Sequence, residues 1–82
     1  MRTFYKSLLY MKIQSIIFDK DFWTKITSKK WLMSKQYNTT LGPTIYNFDS
    51  PNYWRWRQIE PNFKKYYIKK GKEKGILYVM GY

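Results

Sequence analysis

The chain of 82 residues contains no cysteine and no histidine. Without thiols there is no disulfide framework, no thiolate zinc site and no sulfur nucleophile, so the fold needs neither oxidation nor a metal staple. Without imidazole the usual general base and the usual transition-metal ligand are missing. Acids are scarce as well: five Asp and Glu stand against sixteen Lys and Arg. A hydrolase built on paired carboxylates or carboxylate-held metal needs more acids than this, so we expect no enzyme, no metal and no cofactor. No apolar run approaches the ~20 residues that span a bilayer. Arg2 and Lys6 precede the short apolar stretch Leu8-Leu9-Tyr10-Met11, but Lys12 interrupts it and no small-residue cleavage site follows, so secretion is not expected.

What is abundant is aromatic surface and positive charge. Aromatic residues make up 22% of the chain and the hydrophobic fraction is 44%, which excludes a disordered tail. Each large ring can bury ~150–250 Å², an efficient way for one small domain to build a core. The formal charge of +11 opposes the isolated compact state and favours an anionic partner. Nucleic acid comes first, an acidic protein surface second and an anionic membrane third. Lysine dominates the cations, and solubility alone would account for part of the excess.

The pattern predicts a strand over Lys12 to Phe18, closed by Asp19-Lys20-Asp21. Thr24 suits a helix N-cap, with Trp23 packing back on the first turn. Ser28, Trp31, Leu32 and Lys35 then recur at helical spacing, and the helix should end near Gln36 with Tyr37 returning to the core. Asn38 to Pro43 reads as a loop, and Thr44 to Phe48 as a short strand hairpinned to the next. In that next stretch, Tyr53-Trp54-Arg55-Trp56-Arg57-Gln58-Ile59 alternates with period two. As a strand it sends Trp54, Trp56 and Gln58 to one face and Tyr53, Arg55, Arg57 and Ile59 to the other. Glu60-Pro61 ends it. Residues 62–70 fit a helical face or a strand. A helical turn from Pro61 to Lys65 followed by a short strand is favoured, and the final strand is Ile76 to Met80. The fold class expected is α+β: a small antiparallel sheet with one main helix on one face, over residues 11–82, after an extension or arm at residues 1–10. A full second helix would instead give a ferredoxin-like βαββαβ order.

Met11-Lys12-Ile13-Gln14-Ser15-Ile16-Ile17-Phe18, Trp23-Thr24, Trp31-Leu32, Tyr53-Trp54-Arg55-Trp56-Arg57-Gln58 and Lys74-Gly75-Ile76 running to Tyr82 occur in this order. That order resembles a family of small uncharacterised proteins of large DNA viruses and tailed phages. The resemblance covers residues 11–82. It implies a viral source, a location in the virion or the host-cell interior, and a role near the genome or the capsid. The family's glycine-containing turn after the helix is replaced here by Lys35-Gln36-Tyr37.

Arg55 and Arg57, side by side on one sheet face with Tyr53 flanking them, form the first candidate site. Two guanidiniums can fork onto phosphate while a ring stacks on a base. Ordinary surface pairing with Asp49 or Glu60 is the competing role. Lys64, Lys65, Lys69, Lys70, Lys72 and Lys74 form the densest cationic run, able to contact phosphates without reading sequence. An acidic virion protein would satisfy the same charges. Trp54 and Trp56 are read as core. Asp19 and Asp21 are too few for Mg²⁺ and are read as complementing the helix start.

Overall fold

The computed structural model describes residues 11–43 and 52–82. The element order is β1 (Lys12–Asp19), α1 (Lys25–Ser34), β2 (Tyr53–Arg57), β3 (Tyr66–Lys70) and β4 (Ile76–Gly81). The strands form one antiparallel sheet in the order β2-β1-β4-β3, with the helix packed on one face. This is the α+β arrangement expected from the sequence.

β1 explains how the sheet acquires an inside. Ile16 and Phe18 alternate onto the core face, opposite Trp56 and Trp54 of β2 and opposite Tyr78 and Ile76 of β4. Ile13 packs against the same core although it lies three residues before Ile16. Period two alone would put it on the other face. A register shift between Ile13 and Ser15 corrects this, with Gln14 as the extra residue of a β-bulge.

The helix starts where Thr24 caps it. Its hydroxyl accepts from the Thr27 amide at 3.0 Å, and the Thr27 hydroxyl accepts from the Thr24 amide at 2.8 Å. Both orphan donors are thereby satisfied. The first turn holds no acid, so Asp19 and Asp21 do not complement the helix start. Instead, Asp19 organises the turn after β1. Its carboxylate accepts from the Asp21 amide at 2.8 Å, and its carbonyl accepts from the amides of Phe22 and Trp23.

The helix ends in a Schellman motif, in which the Tyr37 amide bonds the Leu32 carbonyl and the Gln36 amide bonds the Met33 carbonyl. Gln36 takes φ +64°, the left-handed position that usually belongs to glycine. The missing glycine therefore changes the residue and not the turn. Tyr37 returns to stack on Trp31, centroids 5.9 Å apart.

Leu32 and Ser28 are the buried residues of the helix, and they meet Trp56. That indole is 1% exposed, and its Nε1 donates to the Ser28 hydroxyl at 3.0 Å. Phe18, Trp23 and Trp31 complete the core through edge-to-face contacts at 5.3 to 6.5 Å. Trp54 is half-buried and donates to the Trp23 carbonyl. The two indoles thus occupy the face assigned to them.

Two expectations need correction. Residues 61–65 form no helical turn, and among the described residues no second helix exists, so the ferredoxin-like alternative does not form. This segment must cross from the β2 side of the sheet to the β3 side. It does so as irregular chain, tied down by the Lys64 and Lys65 amides to the Tyr82 carbonyl and packed by Phe63 against Gly81. A Cβ at Gly81 would collide with that ring. The proposed strand over 44–48 and the extension at 1–10 lie outside the described residues. The neighbour of β2 that the structure shows is β1, so Phe18 and Ile16 are the cross-strand partners of the indoles.

Two substitutions test this account by urea denaturation. Trp56→Ala should lose about 3–5 kcal/mol, the cost of removing a fully buried aromatic. Gln36→Gly should gain about 1 kcal/mol by relieving the left-handed residue.

Candidate functional site

The register that buries Trp54 and Trp56 sends their neighbours to the opposite face. Tyr53 lies opposite Asp19, Arg55 opposite Ile17 and Arg57 opposite Ser15. Leu77 and Val79 of β4, then Lys70, Ile68 and Tyr66 of β3, continue the same face across the sheet. Among the described residues no helix covers it.

Arg55 is held from below. Its Nε donates to the Ser15 hydroxyl at 3.1 Å, and one Nη donates to Gln14 Oε1 at 3.0 Å. Gln14 Oε1 also accepts from the Ser15 hydroxyl at 2.6 Å, while Gln14 Nε2 donates to the Ile59 carbonyl at 3.0 Å. Gln14 and Ser15 are both buried. The bulge residue therefore does two tasks: it corrects the register of β1 and supplies the acceptor that orients a guanidinium. Ser15 and Gln14 are both neutral, so these two bonds orient the guanidinium.

Arg57 meets Glu60 at 3.8 Å, with the Glu60 side chain 66% exposed. A pair so long and so solvated contributes little. Partial burial and the Arg57 cation beside it push the Arg55 guanidinium below its usual pKa, against a smaller opposing influence of Tyr66. The face concentrates like charge at a partly desolvated position.

The Lys-rich run divides. Lys70 falls on the Arg55 face and Lys69 on the helix face, because they are neighbours in a strand. Lys72 and Lys74 sit in the β3–β4 turn, which Gly75 closes at φ +80°. Lys64 and Lys65 lie at the far end of β3, beside Tyr82. Thus Tyr53, Lys70, Lys72 and Lys74 share the lining of one groove of about 380 Å³, together with Asp19, Glu73 and Leu77. Arg55 and Arg57 continue along β2 from its Tyr53 end. Lys64, Lys65 and Lys69 do not line this groove.

No family model matches the chain, and no curated protein or solved structure resembles it. The chemistry must be read from the site itself.

That site is a sheet face with an oriented guanidinium, a second cation beside it, flanking tyrosines and a lysine-lined groove at one end. It offers charge and flat surface. Among the described residues no cluster of three acids, histidines or cysteines could hold a metal. Lys20 does not join this face: its ammonium lies 4.3 Å from the ring centroid of Trp54, on the indole side of the sheet. Sequence reasoning missed Gln14 and Ser15. Their signal was two polar residues inside an otherwise β-branched and aromatic strand, a conflict that points to a job for the polar pair.

Gln14→Leu should show what the pair does. Removing the Gln14 amide from the Ile59 carbonyl, the Ser15 hydroxyl and one Arg55 Nη should cost about 1–3 kcal/mol. In an NMR spectrum of arginine side chains, the Arg55 Nη–H protons should exchange faster with water than in the parent protein, while the Nε–H on Ser15 changes less.

Proposed function

We propose that this protein is a small non-enzymatic accessory protein, of viral origin, that binds nucleic acid through its phosphate backbone on the Arg55 face of the sheet. What carries the reading is the juxtaposition of Arg55 and Arg57 on a face that no described helix covers, continuous at the Tyr53 end with the groove of Lys70, Lys72 and Lys74. Arg55 and Arg57 stand two residues apart on one face, a spacing at which both guanidiniums can donate to oxygens of one phosphate or of neighbouring phosphates. Arg55, already fixed by Gln14 and Ser15, needs little ordering when that anion arrives. Tyr53 and Tyr66 supply exposed rings on the same face for stacking with bases of a single strand. The net charge of +11 supports the same class of partner.

The contacts would be mostly to phosphate, and lysines are mobile point charges, so binding follows charge and not base sequence. Lys64, Lys65 and Lys69 would act at longer range, raising the local attraction without direct contact. An acidic capsid or scaffold protein is the competing partner, because the same cations would face its carboxylates.

The test is fluorescence anisotropy with a labelled single-stranded oligonucleotide over a range of salt. Affinity should fall linearly on log–log axes, each neutralised phosphate contributing a slope of about −0.7. Arg55→Gln with Arg57→Gln should weaken binding and flatten the slope by roughly 1.4. Binding that ignores salt, or a double variant with the parent slope, would remove this face as the site. Nuclease-resistant co-purification with an acidic virion protein would favour the competing partner.

A further inference from the structure

The two outer strands of the sheet are treated differently by the rest of the chain. On the β2 side, the post-helix segment lies against the strand. Gln58 exchanges hydrogen bonds with Asn38 at 2.7 and 2.9 Å, and a Cβ on Gly42 would stand 3.1 Å from the Arg55 carbonyl oxygen and the Trp56 Cα. β3 has no such neighbour among the described residues, and all five of its residues are exposed. Three of them are large and partly apolar: Tyr66 is 44% exposed, Tyr67 37% and Ile68 56%. An uncovered edge with an apolar centre is a template for another strand.

The hydrogen bonds to β4 fix which backbone groups of β3 look outward. Lys65 and Tyr82 exchange both bonds at 3.0 Å, and the Gly71 amide donates to the Ile76 carbonyl at 2.9 Å. Antiparallel ladders alternate, so residues 65, 67, 69 and 71 bond inward to β4. Tyr66, Ile68 and Lys70 therefore direct their N–H and C=O groups to the free edge.

We propose that β3 pairs antiparallel with β3 of a second copy of this chain, about a two-fold axis through Ile68. In that register Ile68 faces Ile68 of the other copy, Tyr66 faces Lys70 and Tyr67 faces Lys69. The outward backbone groups meet their counterparts as reciprocal hydrogen-bonded pairs. Each strand ammonium meets a tyrosine ring and not another ammonium. Moving the axis to Lys70 would oppose lysine to lysine, and moving it to Tyr66 would set Ile68 against Lys64. The Ile68 register alone pairs all five residues of the strand with no lysine opposite lysine among them, Lys64 and Lys72 meeting only beyond its ends, and this self-complementarity points to a second copy as the occupant.

The pairing joins two four-stranded sheets into one. Tyr66, Ile68 and Lys70 lie on the same face as Arg55, so the two Arg55 faces become continuous. The proposal does not rest on nucleic-acid binding. One five-residue edge buries less than the ~1,000 Å² of a stable interface, and two copies each carrying +11 repel one another. The association is therefore weak and strengthens as salt screens the repulsion, opposite in sign to phosphate binding.

Sedimentation equilibrium of the full chain without nucleic acid should show the mass rise from 10.2 kDa toward twice that value with protein concentration and with salt. Ile68→Pro removes only an outward-facing amide, so it should abolish the rise while the circular dichroism spectrum is kept. The chain has no cysteine, which permits a second test that does not depend on that variant. Ile68→Cys should form a disulfide-linked dimer under mild oxidation roughly tenfold faster than Met33→Cys on the exposed helix face, because paired thiols share a high effective concentration. A parent protein monomeric at every salt, a dimer that survives Ile68→Pro, or equal cross-linking at the two cysteines would each overturn the proposal.

Discussion

The structure depends on one buried indole. Trp56 enters the core between Leu32 and Ile16, and its only polar atom is satisfied by the Ser28 hydroxyl. A side-chain period of two then leaves β2 no choice. A slip of one residue would bury two guanidiniums under the helix and expose two indoles, and a buried unpaired charge costs far more than the indoles recover. The face that carries Arg55 and Arg57 is thus a consequence of what the opposite face must hide.

The bulge at Gln14 serves the same constraint from the neighbouring strand. It lets Ile13 and Ile16 share the core although they are three residues apart. The extra residue is polar because it works at the sheet's other surface, where its amide accepts from Arg55 and ties down the segment leaving β2. Core packing and the presentation of charge are joined through this residue.

Much of this was legible in the sequence. Alternation over residues 53–57 assigned both faces of β2 correctly, because one face carries indoles and the other cations, although the strand ends at Arg57 and does not continue to Ile59. Thr24 announced the helix start by its chemistry. The post-helix turn was less transparent: Gln36 adopts the conformation of the glycine that the pattern lacked. Residues 61–65 misled because Pro61 and the spacing of Phe63, Tyr66 and Tyr67 imitate a helix start. The need to cross the sheet between its two outer strands prevailed, and strand order is not written in local spacing. The lysine run misled for a related reason. Six cations adjacent in sequence suggest one patch, but strand alternation and a turn send them to both faces and both ends of β3.

Under the proposed function, labour divides across β2: the indole of Trp56 is structural, and the guanidiniums on the reverse face would meet the phosphates. A single NMR titration reads both. With the indole and arginine Nε–H signals resolved, adding a single-stranded oligonucleotide should move the Arg55 and Arg57 signals together while the Trp56 indole signal stays fixed. A moving Trp56 indole with stationary arginines would contradict it.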